Sequence, residues 1–311
     1  MTEDLQLAIE KMIGDASPSA LKKASAALSK TYAQGKNSRS LFEDESSRLT
    51  YLAARMPATF GAVSAALQNL PAAPSSWLDL GAGPGTASWA AAELFPSSSR
   101  FTLIEQSPHA IALGKRLAEA HPRIQKAEWI CASLPLDLPK ADAAILSYAL
   151  GELERPAAMI EKWWGAEIPV LIIVEPGTPR GFSAIRKARD QILSLGGAIA
   201  APCPHSHACP MKESDWCHFS ARIPRSRLHR YVKEGALGYE DEKFSYLIAS
   251  KTPLAPSSSA RILRHPLKLS GHVRLALCTS RGERQETVVG RSNKEFYRKA
   301  RDASWGDPWE M

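Results

Sequence analysis

Leu78-Asp79-Leu80-Gly81-Ala82-Gly83-Pro84-Gly85-Thr86 is the stretch on which the fold turns. The apolar run 77–80 stops at three glycines, and 86–94 then reads as a helix. Glycine lets a chain turn tightly after a strand and lets backbone approach a ligand closely. The helix that follows opens with amide groups that have no intrahelical partner. Spacing narrows the ligand. A dinucleotide fingerprint reads G-x-G-x-x-G and sets a pyrophosphate on the helix N-terminus, whereas the third glycine here comes one residue early.

This G-x-G-x-G turn, with Asp79 two residues ahead of it, resembles motif I of the class I S-adenosylmethionine (SAM) methyltransferases. SAM has no pyrophosphate, so a nearby carboxylate is tolerable. The resemblance implies that Gly81, Ala82, Gly83, Gly85 and Thr86 cradle the methionine part of SAM. It also implies that Asp79 reaches the cofactor's amino group through polar partners. Glu105 closes the next apolar run, 24 residues past Gly81, where an acid can accept from both ribose hydroxyls. After the third run, Cys131-Ala132-Ser133 lacks the acid that often reads adenine, so backbone near Ser133 is the expected substitute.

The pattern around the turn gives the fold class. Beyond the linker 71–76, strands are expected at 77–80, 100–105, 128–132, 143–147 and 169–174. Helices are expected between them at 86–94, 108–120, 155–164 and 182–195. That alternation specifies an α/β fold, a Rossmann-like doubly wound sheet. Residues 1–70 read as an N-terminal helical region, with helices over 5–13 and 17–35 and a third over 44–70 broken at Pro57. Residues 71–200 form the cofactor-binding domain, and 201–311 a cysteine-rich, basic region with a small β unit. Within the latter, 244–250 is a strand expected to return to the sheet, 254–259 a loop, and 261–269, 272–279 and 286–291 short strands.

The end of the fourth strand is where transfer chemistry would sit. It reads Ser147-Tyr148-Ala149-Leu150-Gly151-Glu152, without the Asp/Asn-Pro-Pro-aromatic of base-nitrogen methyltransferases and without the cysteine of 5-methylcytosine enzymes. Ser147 and Tyr148 are expected to line the cofactor pocket. Glu152 is readable as a general base or, more simply, as a helix-start carboxylate.

Four of the five cysteines form a second constellation: Cys203, Cys209 and Cys217, with Cys278 downstream. Clustered thiols among histidines, in a reducing compartment, read as metal ligands before disulfides. The intervals are wider than the C-x₂₋₄-C of structural zinc, and proline follows both Cys203 and Cys209, as in iron–sulfur ligand runs. The spacing favours an iron–sulfur cluster, with zinc as the alternative and free thiols behind both. The radical-SAM spacing is absent. Cys131 reads as a buried core thiol.

The chain has 311 residues, 44% hydrophobic and 23% charged, enough to bury a full core. No run approaches the roughly 20 apolar residues of a membrane span. The acidic start Met1-Thr2-Glu3-Asp4-Leu5 and the few cysteines suggest a bacterial cytoplasmic protein, read here as a monomer. Net charge is +7 and uneven: residues 1–175 hold 16 basic and 19 acidic side chains, and 176–311 hold 23 and 13. Arg222, Arg225, Arg227 and Arg230 follow the third cysteine, and Arg281, Arg284 and Arg291 the fourth. Such a surface contacts phosphates, and Tyr231, Phe296, Tyr297 and Trp305 could stack on unpaired bases.

The glycine turn, Pro202-Cys203-Pro204-His205, Asp215-Trp216-Cys217-His218-Phe219 and Lys243-Phe244-Ser245-Tyr246-Leu247 together resemble a methyltransferase-like family associated with the small ribosomal subunit. The resemblance covers roughly residues 40–290. Members of that family occur in bacteria and in mitochondria and act in small-subunit assembly. It implies a class I fold, SAM, a 4Fe-4S cluster on Cys203, Cys209, Cys217 and Cys278, and binding to small-subunit ribosomal RNA or a maturing small subunit. The function read here is therefore rRNA methyltransferase or assembly factor in translation. The rivals are a catalytically inactive RNA-binding protein with structural zinc and a methyltransferase for a non-RNA substrate.

Overall fold

Ser76–Leu80 (β1) is buried at every position, on both faces. Strands of that kind belong to a parallel sheet with helices on either side. Trp77 faces one helical layer, and Leu78 and Leu80 face the other. The structure is a computed structural model that describes residues 1–14, 16–33, 42–253 and 258–310.

Beside β1 the main sheet holds β2 (Arg100–Glu105), β3 (Glu128–Cys131), β4 (Ala143–Ser147), β5 (Val170–Pro176), β6 (Ala198–Ala201), β7 (Phe219–Pro224) and β8 (Tyr239–Ser250). Its order is β3-β2-β1-β4-β5-β8-β6, with β7 also paired to β8. Strands β1 to β5 run parallel, and β8 runs antiparallel to β5 from Val170↔Ser250 to Pro176↔Phe244. The order reverses between β1 and β4, and ligands of open α/β sheets bind at the carboxyl ends of strands at such a point. This is the class I SAM-methyltransferase-like α/β fold.

The crossover helices start where local chemistry starts them. In α5 (Thr86–Leu94) the residue before the helix is Gly85, at φ +86°. Ser107 caps α6 (Pro108–Ala118) by accepting from the Ala110 amide, with proline at the first position. Helix α7 (Pro156–Gly165) also opens on proline, and Thr178 caps α8 (Pro179–Ser194). That cap starts α8 three residues earlier than the apolar periodicity indicates.

The N-terminal region is helical as expected: α1 (Glu3–Ile13), α2 (Pro18–Ala33), α3 (Glu45–Thr50) and α4 (Met56–Leu67). Pro57 does not break the third stretch. A π-helical turn, Tyr51–Arg55, absorbs the register change, and Pro57 falls in the first turn of α4, where an N–H is not needed. Expected features at residues 34–41 and 254–257 lie outside the described residues.

Residues 202–218 are a long excursion between β6 and β7, which pair with opposite ends of β8. A short helix, α9 (Arg227–Val232), links β7 to β8. A second, antiparallel sheet holds β9 (Ala260–Ile262), β10 (Leu267–Leu269), β11 (His272–Thr279), β12 (Arg284–Gly290) and β13 (Pro308–Trp309), with α10 (Lys294–Asp302) packed on it. The single strand expected over 261–269 is two strands, because Pro266 offers no ladder N–H. Cys131 is exposed rather than buried: it ends β3, an edge strand. Among the described residues no helix is long and apolar enough to cross a membrane.

Candidate cofactor and thiol sites

The glycine turn closes on β2. The Gly81 and Ala82 amides donate to the Ile104 carbonyl at 2.9 and 3.0 Å. The Gly83 amide donates to Glu105 at 2.9 Å, whose other oxygen accepts from the Ser107 amide at 2.8 Å. Gly81, at φ +70°, lies so close to the fourth-strand loop that a Cβ there would stand 2.9 Å from the Ala149 Cβ. A cavity of about 370 Å³ opens over this turn. Its wall includes Gly81, Ala82, Gly83, Thr86, Glu105, Ser133, Ser147 and Tyr148.

Two expected cofactor residues are not part of that wall. Gly85 is held instead by packing, its α-carbon facing Leu103 and Trp129. Asp79 lies beneath the turn, where one carboxylate oxygen accepts from the Ser88 amide (3.1 Å) and hydroxyl (2.8 Å). Its other oxygen is buried without a partner, and burial raises its pKa to about 7.

The N-terminal region supplies wall residues that the sequence reading missed: Phe42, Tyr51, Arg55 and Thr59. Tyr51 sits 3.2 Å from the Thr86 hydroxyl, and its ring lies 5.3 Å from that of Phe42. The only sequence signal is the helical spacing of Tyr51, Arg55 and Thr59, which places three polar groups on one face.

Tyr148 marks the boundary of a second space. It adopts φ +55°, a left-handed conformation that costs a non-glycine residue about 1–3 kcal/mol. Its hydroxyl donates to Glu242 on β8 at 3.0 Å, and the Arg55 guanidinium lies over its ring. Beyond it is a cavity of about 910 Å³ between α7 and α8, which shares Arg55, Tyr148 and Glu152 with the first. Glu175, at the end of β5, lines this second cavity, is buried, and accepts from the Gly151 amide at 3.2 Å. Burial pushes its carboxyl up to about 7. A carboxyl poised near neutral pH can hold or release a proton beside a bound molecule. Glu152 ends a short 3₁₀ turn at the junction.

The four cysteines meet. Cys203, Cys209, Cys217 and Cys278 line one small cavity of about 30 Å³, with Cys278 contributed by β11 of the second sheet. An occupant larger than a water or two would have to part the thiols. Burial and the neighbouring sulfurs raise Cys217, and together they push Cys278 up to about 12. Among the described residues, no three or more His, Cys, Asp or Glu side chains are placed to hold a single metal ion. The donor set is all-sulfur and soft, which suits iron–sulfur or zinc chemistry. The His205 Nε2 stands 3.3 Å from the Cys278 sulfur.

The basic residues divide. Arg222 is exposed but engaged bidentately by Asp241 at 2.8 and 3.0 Å and stacked over Tyr239. Arg225 is sunk beside Glu240 at 2.8 Å, which also accepts from Lys233. Arg284 lies 3.3 Å from Asp215. Among the described residues, Arg227, Arg230, Arg281 and Arg291 are in no ion pair, and all but Arg230 are exposed. Of the aromatics, Tyr231 is exposed, while Phe296 packs on Trp309 and Trp305 on His218 and His265.

A family model described as mitochondrial small ribosomal subunit Rsm22 matches residues 45–310. The human mitochondrial ribosome assembly protein METTL17 is 30% identical over 289 residues, covering 83% of this chain and 61% of the relative. The mitochondrial Rsm22-cox11 tandem protein 2 of Schizosaccharomyces pombe is 27% identical, covering 86% of this chain and 44% of the relative. The chain thus spans about half to three fifths of the length of these relatives. Among solved structures, magnesium protoporphyrin IX methyltransferase of Synechocystis aligns at TM-score 0.39 and 16% identity, over 63% of this chain and 83% of that one. A precorrin-6y C5,15-methyltransferase of Geobacter metallireducens aligns at TM-score 0.41 and 16% identity, over 60% and 85%. The fold assignment rests on the strand order. The bacterial cytoplasmic expectation is overturned, because the matched relatives are named as mitochondrial proteins. It rested on an acidic first few residues and a low cysteine count, and neither feature reports a compartment.

Proposed function

We propose that this chain, which belongs to the Rsm22 family of small ribosomal subunit proteins, is an assembly factor that binds small-subunit ribosomal RNA, carries SAM, and holds an iron–sulfur cluster on Cys203, Cys209, Cys217 and Cys278. The observation that carries the reading is the family match combined with four cysteines around one cavity. SAM fits the residues present. The Gly81 cradle leaves no room for a Cβ, the Ser147 hydroxyl is buried without a partner, and Glu105 retains acceptor capacity. There SAM would supply an electrophilic methyl group. The cluster would cross-link the 202–218 excursion of the main sheet to β11 of the second sheet. It would thereby hold the segments bearing Arg227, Arg230, Arg281 and Arg291 in one arrangement.

Ultraviolet cross-linking of the full chain in cells, followed by sequencing of the bound RNA, tests the partner. Small-subunit rRNA should be enriched over large-subunit rRNA, and equal recovery of both would refute it. Anaerobic purification should give brown protein with iron and acid-labile sulfide, whereas colourless protein with stoichiometric zinc would replace the cluster by zinc. Methyl transfer is the second reading, favoured by the cavity that meets the SAM site at Tyr148 and contains Glu175. Labelled SAM incubated with immature subunits should then label the RNA.

A further inference from the structure

The thiol cavity has a cationic wall. Arg189 rises from α8, lines the cavity, and is only 2% exposed. Its Nη2 donates to two backbone carbonyls of the cysteine excursion, those of His205 at 3.3 Å and His207 at 2.5 Å. The rest of the guanidinium meets sulfur and little else: its hydrogen bonding to the Cys203 thiol acts to lower that group. Nε and Nη1 are buried with no oxygen or nitrogen acceptor in hydrogen-bond reach, and Nη1 comes only within 3.6 Å of the mostly exposed Asp190 carboxylate.

A second guanidinium lies close by. Arg261 on β9 is 4% exposed, but its donors are occupied by the carbonyls of Pro202 and Gly306 and by Asn69. Both charges act on the cysteines, lowering the Cys203 and Cys278 thiols against the effect of burial. No carboxylate lines the cavity to balance them: beside Arg189 the wall holds Arg186, whose Nη1 donates to the Met211 carbonyl at 3.3 Å, the four thiols, Tyr246, two prolines, Met211 and apolar side chains. A buried charge left without an anion is strongly unfavourable, and neutral thiols do not supply one. Four thiolates around an iron–sulfur core do, because the assembled group is an anion whose sulfurs accept hydrogen bonds.

We infer that Arg189 is the internal counter-ion of the cluster: its Nε and Nη1 edge donates to cluster or cysteinyl sulfur, while Nη2 clamps the loop that carries Cys203 and Cys209. This rests on the reading that the four cysteines hold an iron–sulfur group. Arg189 is a positioning residue. Its charge and hydrogen bonds make the reduced, more negative form of the cluster easier to reach.

The test compares the full-length parent with Arg189→Gln and Arg189→Lys, all purified anaerobically. Iron and sulfide are measured per chain, and the midpoint potential is read by dye-mediated titration followed by electron paramagnetic resonance. Arg189→Gln should shift the potential of the retained cluster to more negative values. Arg189→Lys, which keeps the charge but loses the planar donor edge, should fall between Gln and parent. If the Gln variant does not fold, a negative shift in the Lys variant carries the test. Loss of iron with an unchanged potential in the clusters that remain would make Arg189 a loop clamp alone and overturn the counter-ion. A parent chain without iron and sulfide would instead overturn the cluster reading, and Arg189's role with it.

Discussion

Replacing Glu175 by glutamine should abolish a pH-dependent loss of stability whose size follows from its burial. The carboxyl is 4% exposed at the end of β5, and its pKa lies near 7 in the folded chain against an ordinary 4.5. The folded state therefore binds the proton more tightly than the unfolded state. The contribution is fully present below about pH 4.5 and is lost as pH rises through 7. Linkage across that interval amounts to about 3 kcal/mol. Glutamine keeps an oxygen to accept from the Gly151 amide but cannot ionise. Urea unfolding of parent and variant at pH 5, 6, 7 and 8 isolates the effect, because Asp79, whose pKa is also raised, is common to both. The stability difference should move in the variant's favour by about 2.5 kcal/mol between pH 5 and 8 with equal m-values. A difference that stays constant with pH would mean that Glu175 is solvated and ionised throughout, and the second cavity would then lack a proton-holding group.

Gly81→Ala puts a Cβ into a left-handed backbone 2.9 Å from Ala149; it should cost about 1–3 kcal/mol in unfolding experiments and weaken SAM binding by calorimetry, and unchanged affinity would remove the cradle. Cys217→Ser should lose iron and sulfide together while SAM affinity stays within about twofold of the parent, since SAM needs none of the thiols; retained iron would exclude Cys217 as a ligand. Arg281→Ala and Arg291→Ala should each lower the slope of log affinity against log salt by about 1 for RNA. Arg222→Ala should change that slope less, because Asp241 already holds its guanidinium. Arg225→Ala should instead destabilise the fold by roughly 1.5 kcal/mol, by removing one charged partner of the half-buried Glu240, which keeps Lys233.

The main sheet was legible because its signals are local. The β2 and β4 boundaries fall where alternation of apolar runs and glycine turns puts them, and the start of α5 follows from Gly85. What was not legible depends on distant partners. Nothing near Phe42 or Tyr51 in sequence says that they face Thr86 and Gly83, because that contact forms only when the N-terminal region packs into the same layer as α5. Strands β6 and β7 are short, and only the length of β8 gives them an edge to pair with. The arginines read as one basic run because sequence does not reveal which carboxylate comes back to meet them. Asp241 and Glu240 on β8 take Arg222 and Arg225, and Asp215 takes Arg284.

Those pairings relocate the positive field and tie it to the thiols. Of the seven arginines that the sequence singles out, Arg227, Arg230, Arg281 and Arg291 remain outside ion pairs among the described residues. Asp215, two residues before Cys217, binds Arg264 at 2.5 Å and Arg284 at 3.3 Å, so the second sheet is anchored to the excursion next to a thiol. Trp216, the next residue, donates its indole N–H to the Gly177 carbonyl at 2.9 Å, in the wall of the cavity that holds Glu175. Three consecutive residues, Asp215, Trp216 and Cys217, thus fasten the basic sheet, the second cavity and the thiol cluster to one short segment. Whatever fixes Cys217 fixes the other two, so under the proposed function a change at the thiols would reach both the second sheet and the cavity that holds Glu175 through this segment, with no shared ligand.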